Sequence, residues 1–205
     1  MSMSGTFHTR WWLVRHAPVP CPHGRVHGRL DVACDVSDEE DFRQLARRLP
    51  ANPVLVESGL MRCRQTAGAL ECAGLLLPPP LVEPDLVEQD FGRWQGKSWA
   101  ELDAAKDPDL AAFWADPAET APPDGESFGT MCARVARGIL RVSEENPNRD
   151  ILAIVHAGTV RAALAMALGL DPAQALRFAV APLSLTRIDG THEGWRVECV
   201  NVTAA

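Results

Sequence analysis

The sequence predicts a three-layer α/β domain whose sheet has an antiparallel edge. Two observations carry that expectation. Short apolar runs that read as buried strands alternate with longer segments of helical periodicity. Two of these runs, Trp11-Trp12-Leu13-Val14 and Ile151-Leu152-Ala153-Ile154-Val155, lead straight into polar residues, Arg15-His16 and His156. Open α/β sheets place their ligands outside the carboxyl ends of the strands, so the two histidines are expected at one shared site.

The elements follow in order. Residues 10–15 form the first strand, and a polar, glycine-bearing loop continues to Leu30. A helix is expected over 37–49, because Asp38, Glu39 and Glu40 at its start and Arg47 and Arg48 at its end suit the helix dipole. Residues 53–57 make a short buried strand. Ser58 is placed to cap the next helix, where Leu60, Cys63, Ala67 and Leu70 share a face and Arg62 and Arg64 lie off it. Pro78-Pro79-Pro80 restricts Leu81-Val82 to a sheet edge or to a start after the prolines.

Residues 85–98 read as a loop and 99–114 as short helices broken at Pro108. The proline-rich stretch 117–125 precedes a long helix with Phe128, Met131, Val135, Ile139 and Val142 on one face. A helix runs from His156 to Leu168, followed by strands near 178–188 and 195–200 that pair as a hairpin across Asp189-Gly190. No repeat or long linker divides the chain. Residues 1–205 are expected to form a single domain, with a small helical cap contributed by about 93–125.

Composition narrows the function. The chain has 205 residues, 46% of them apolar, enough for one sizeable core. A net charge of −7 without a basic run argues against nucleic acid as a partner. An anionic substrate stays open, because a cleft focuses the field of its own few cations. The first ten residues lack a signal-peptide core, and the longest apolar stretch, 162–170, is too short to span a bilayer. A soluble, cytoplasmic monomer or homodimer with no membrane partner is expected. The six cysteines are scattered without a Cys-x-x-Cys pair and read as reduced packing residues.

Hydrolysis of a phosphate monoester needs its oxygen charge neutralised, a nucleophile in line with phosphorus and an acid for the leaving oxygen. Arginines bind phosphoryl oxygens in bidentate fashion, and a neutral imidazole can attack phosphorus. The sequence offers Arg15 and Arg62 as clamps, His16 or His156 as nucleophile, and Glu88 as acid, with Glu83, Asp85 and Asp90 as alternatives. That set requires no metal.

Five blocks in order give these residues a context: Leu13-Val14-Arg15-His16; Ser58-Gly59-Leu60-Met61-Arg62 with Gln65-Thr66-Ala67; Leu86 to Gly96, including Glu88; Gly125-Glu126-Ser127; and Val155-His156-Ala157-Gly158. Together they make the chain resemble the histidine phosphatase superfamily, with its phosphoglycerate mutase-like fold. The resemblance implies a mostly parallel six-stranded sheet between helices. It also implies that His16 is transiently phosphorylated, that Arg15, Arg62 and His156 hold the phosphoryl oxygens, and that Glu88 is the acid and then the base for water. A small phosphorylated metabolite is the implied partner, with α-ribazole phosphates or sugar phosphates among the candidates.

The chain departs from the family where Ala17 replaces the usual glycine, and where Val19 and Pro22 replace the frequent threonine and asparagine. Substrate contacts are therefore expected from His23, Arg25, His27 or Arg29, and from the cap aromatics Trp94, Trp99, Phe113 and Trp114, which can equally be cap core. The short stretch from Glu88 to His156 favours transfer to water over a mutase reaction.

Other readings stay in view. Residues 92–98 resemble a P-loop with one residue too few between the glycines. Gly125-Glu126-Ser127-Phe128-Gly129 matches a serine-esterase elbow but lacks a preceding strand, so Ser127 reads as a helix cap. Cys21, His23 and His27 match no strong zinc spacing. A non-catalytic binder of a phosphorylated ligand is the remaining alternative.

Overall fold

The central strands are apolar on both faces because helices cover both. In the computed structural model, which describes residues 8–20, 24–191 and 193–203, the elements run β1 (His8–Arg15), α1 (Glu39–Ala46), β2 (Val54–Glu57), α2 (Met61–Cys72), β3 (Leu81–Val82), α3 (Trp99–Ala104), α4 (Leu110–Ala115), α5 (Phe128–Glu145), β4 (Asp150–Val155), α6 (Ala157–Leu168), α7 (Pro172–Ala175), β5 (Leu185–Thr191) and β6 (Gly194–Val202). The strands form one six-stranded sheet in the order β3-β2-β4-β1-β5-β6. The first four are mutually parallel, while β5 runs antiparallel to β1 and β6 antiparallel to β5. This is the mostly parallel three-layer sheet expected, with its antiparallel edge.

Alternation along the strands sorts the core. Trp11, Leu13, Ile151, Ala153 and Val155 pack with Phe128, Met131, Val135 and Ile139 of α5 and Val160 and Leu164 of α6. Val14, Leu55, Leu152 and Ile154 face the other way, onto Phe42 and Leu45 of α1 and Cys63, Ala67 and Leu70 of α2. A third cluster, Trp94, Leu102, Leu110 and Phe113, stands apart and holds α3 to α4. Among the described residues no helix is long and apolar enough to cross a membrane.

Local differences from the sequence expectation have identifiable causes. α1 is shorter than 37–49, starting after its cap Asp38 and ending at Ala46. Ser58 does not cap α2; Leu60 occupies that position without a side-chain bond, and the Ser58 hydroxyl turns to His156 instead. The strand expected near 178–188 begins only at Leu185. Pro182 lacks the ladder N–H, and Leu183 adopts φ +56°, so the backbone turns there before it can pair. Asp189 and Gly190 lie inside β5, and the hairpin turn falls between Thr191 and Gly194.

Candidate active site

Strand register, not loop chance, brings the two histidines together. Arg15 pairs with Val155 between the parallel strands β1 and β4, and the His16 N–H donates to the Val155 carbonyl at 2.9 Å. His16 and His156 are thus the next residues on adjacent strands, with ring centroids 5.2 Å apart. On the far side of β4, Glu57 pairs with Ile154. Ser58 therefore emerges beside His156, and its Oγ lies 2.8 Å from His156 Nε2.

Each imidazole is fixed in one tautomer by its partners. His16 Nδ1 lies 2.7 Å from the Ala17 carbonyl, an acceptor only, so Nδ1 carries the proton and Nε2 the lone pair. His156 Nδ1 accepts from Arg62 Nε at 3.2 Å, which leaves its Nε2–H to donate to Ser58. Burial pushes His16 down to about 3, opposed by the Ala17 carbonyl and assisted by Arg62 and Arg15. Burial, then Arg62, His16 and Arg15, holds the fully buried His156 well below the ordinary histidine range. Both rings are uncharged at neutral pH.

A pH dependence of stability follows. The unfolded chain protonates these histidines below about pH 6.5 while the native state does not, so stability falls as pH drops from there towards about 3. The slope is at most about 1.4 kcal/mol per pH unit for each histidine. Between pH 6.5 and 5, where carboxylates barely titrate, the melting temperature of His16→Gln should fall less steeply than that of the wild type. Identical slopes would contradict the uncharged assignment.

Arg62 was expected off the apolar face of α2, yet it is 2% exposed. Its guanidinium donates from Nη1 to the Leu30 carbonyl and from Nη2 to the Gly28 carbonyl, both at 2.7 Å, besides its Nε bond to His156. Gly28 takes φ +50°, and a Cβ there would press on the Gln95 side chain and lie 3.0 Å from the Gln89 carbonyl, so glycine is favoured where the loop passes under Arg62. Arg15 donates to the Val180 carbonyl at 2.6 Å, and its buried Nε has no hydrogen-bond partner among the described residues. Glu88 accepts from Gln89 N–H at 2.9 Å and Gly158 N–H at 3.3 Å. Gly158 admits that contact only because it lacks a Cβ, which would collide with Glu88 Oε1.

These groups share one cleft of about 530 Å³, with Arg15, His16, Arg62 and Glu88 in its wall. Its apolar wall includes Val19, Val26, Phe91 and Trp99, with Arg25 and His27 as further polar members. Arg25 is bound to the Gly96 carbonyl and Glu101, and the buried Nε2 of His27 has no hydrogen-bond partner among the described residues. His156 is fully buried and does not line the cleft, so it meets Arg62 and Ser58 rather than the space expected to hold the phosphoryl oxygens.

Other expected contacts fall elsewhere. Arg29 points to Glu126, Asp90 and the Glu88 carbonyl rather than into the cleft. Trp94 is fully buried among the cap aromatics and donates to Asp107, so its indole is core and Phe91 and Trp99 take the wall position instead. Glu83 and Asp85 are engaged by Arg141, and Asp90 by Arg29, so Glu88 is the carboxylate of this acidic run in the cleft. Ala17 is buried in the core with its N–H on Thr66 Oγ1, so the methyl that replaces the usual glycine packs inward. Pro22, His23 and Cys21 lie outside the described residues. Ser127 caps α5 by accepting from Thr130 N–H, with no strand before it.

With this geometry in place the comparison with known proteins is decisive. Residues 11–203 match the histidine phosphatase superfamily (branch 1). The chain belongs to that superfamily. A bifunctional protein of Mycobacterium tuberculosis is 36% identical over 114 residues, a match covering 56% of this chain but 30% of that protein. The adenosylcobalamin/alpha-ribazole phosphatase of Escherichia coli is 27% identical over 172 residues, 82% of each chain. The native structure of a mycobacterial glucosyl-3-phosphoglycerate phosphatase superposes with a TM-score of 0.79 at 26% identity, covering 96% of this chain and 100% of that one. Arg134, which proves central to the acid-bearing segment, escaped the sequence reading. Its signal was a cation three residues after Met131, at core spacing on a helix of this histidine phosphatase superfamily member.

Proposed function

We propose that this protein is a phosphomonoesterase that works through a phosphohistidine on His16 and needs no metal or cofactor. One observation supports the reading above all: an uncharged, oriented His16 shares its cleft with two arginines and a carboxylic acid. In the first half-reaction His16 Nε2 attacks phosphorus while the bond to the leaving oxygen breaks, and protonated Glu88 gives that oxygen its proton. The ring becomes cationic, and its Nδ1–H bond to the Ala17 carbonyl strengthens accordingly. In the second half-reaction the Glu88 carboxylate takes a proton from water as the water oxygen attacks phosphorus and the P–N bond breaks. Inorganic phosphate leaves, His16 is neutral again and Glu88 is reprotonated. Arg15 and Arg62 neutralise the phosphoryl oxygens through both steps.

The leaving-group side is lined by Phe91 and Trp99 with Val19 and Val26. A ring-bearing alcohol suits such a wall better than a small polyol, because aromatic faces stack on flat or apolar ring surfaces. The compounds in the names of the Escherichia coli and mycobacterial relatives, alpha-ribazole and glucosyl-3-phosphoglycerate, both carry rings. Transfer to water rather than to a second substrate fits the small cap between Glu88 and α5, where α3 and α4 have six residues each, less than two turns.

The test uses chelated buffer and two substrates. Wild type should hydrolyse both p-nitrophenyl phosphate and a benzyl-type phosphate. Glu88→Gln should lose on the order of 10²-fold or more on the alkyl ester and much less on the nitrophenyl ester, whose leaving group barely needs a proton. Equal losses would assign the acid role elsewhere. Tight phosphate binding without any turnover would favour the non-catalytic alternative.

A further inference from the structure

Arg134 sits on α5 at the margin of its apolar stripe and is 8% exposed. A guanidinium so placed needs a partner for every donor. Nε and one Nη2–H bind the two oxygens of Glu126 at 3.0 and 2.6 Å. Nη1 donates to the carbonyls of Asp85 and Val87, both at 2.7 Å, and the second Nη2–H to the carbonyl of Glu88 at 3.0 Å. Every N–H of the side chain is used, and three go to the main chain of one short segment.

Glu126 completes the arrangement. It accepts from the Asp90 N–H at 3.0 Å and from Arg29 Nη2 at 2.8 Å, while its own carbonyl takes the Gln89 side-chain amide. Burial alone would raise its pKa, but the bonds from Arg134 and Asp90 outweigh that and hold the carboxylate ionised. Arg29 Nε adds a second, longer bond to the Glu88 carbonyl at 3.3 Å. Residues 85–90 are therefore wrapped around a buried ion pair. Neither Arg134 nor Glu126 is in the cleft wall.

We propose that the Arg134–Glu126 pair is the positioning device for Glu88: it fixes the main chain on both sides of that residue so that its carboxyl is held over Gly158, at the leaving-group oxygen. The proposal rests on the reading of Glu88 as the proton donor. A general acid contributes only from within hydrogen-bond reach of the oxygen it protonates, and a displacement of about 1 Å is enough to lose much of that contribution. Leu86 anchors the segment in the core and its carbonyl accepts from Thr159. The three converging carbonyls of Asp85, Val87 and Glu88, which repel one another unless a cation sits among them, are gathered by Arg134.

The experiment compares Arg134→Met, the neutralised pair Arg134→Met/Glu126→Gln and Arg134→Lys, each alone and combined with Glu88→Gln, on the two phosphate esters. The double replacement leaves no unpaired buried charge and serves if the single variant does not fold, as judged by thermal melting. The alkyl-ester rate should fall on the order of 10-fold more than the nitrophenyl-ester rate, with kcat affected and KM nearly unchanged. In the Glu88→Gln background the same replacements should cost little further. Lysine, lacking the five-donor fork, should restore little. Equal losses on both esters, or a full additional loss in the Glu88→Gln background, would show a folding role and overturn the positioning proposal alone. Absence of leaving-group dependence in Glu88→Gln itself would overturn the acid assignment, and the positioning proposal with it.

Discussion

His16→Ala should abolish turnover, with kcat/KM for an aryl phosphate falling on the order of 10⁴-fold or more, since removal of a nucleophile leaves only the binding contribution. The side chain is hard to replace because its surroundings are specific to it. His16 lies at the end of β1 with its Nδ1–H on the Ala17 carbonyl, and its pKa of about 3 keeps the lone pair on Nε2 free across the neutral range. His156 cannot take over, because its Nδ1 is occupied by Arg62 and its Nε2–H by Ser58. The check is twofold. Alkali-quenched wild type should show by phosphorus NMR a phosphoenzyme that survives base and is lost on acidification, and His16→Ala should show none. The variant should still bind inorganic phosphate, because Arg15 and Arg62 remain. Turnover in His16→Ala near the wild-type rate would remove the covalent mechanism.

That prediction draws on the part of the molecule most readable in the sequence. Buried strands announce themselves as apolar runs, and the abrupt change from Val14 to Arg15-His16 and from Val155 to His156 marks their carboxyl ends. Parallel register then does the rest, because two residues that each follow a strand end become neighbours once the strands pair. Contacts made by main-chain carbonyls were not readable. Arg62, read from the sequence as a phosphate clamp off the apolar face of α2, is buried because Gly28 and Leu30 of the overlying loop offer it carbonyls, which helical periodicity does not register. The same blindness hid Arg134, whose partners are three carbonyls of residues 85–88. The strand near 178–188 failed for the opposite reason. Its apolar composition was strand-like, but Pro182 and the left-handed Leu183 turn the chain into the cleft wall, where Val180 receives Arg15.

Arg62→Ala is the other replacement with a large expected effect, because one guanidinium serves three structures at once. It lies in the cleft wall beside His16, it donates to His156, and it fastens the Gly28 and Leu30 carbonyls. Loss of one preorganised donor to transition-state charge costs about 10² to 10³ in kcat. Release of the loop that carries Arg25 and His27 should add to this and raise KM, for a combined loss in kcat/KM on the order of 10⁴. Lysine at the same position separates charge from geometry. Burial lowers the Arg62 pKa but leaves it cationic; an ammonium would keep the charge while lacking the planar fork that reaches both carbonyls and the imidazole. Arg62→Lys should therefore recover phosphate binding, measured as the inhibition constant of inorganic phosphate, while kcat stays within about 10-fold of the alanine variant. Near-wild-type kcat in Arg62→Lys would mean that a point charge suffices, and that the ties to His156 and the loop contribute nothing to the chemical step.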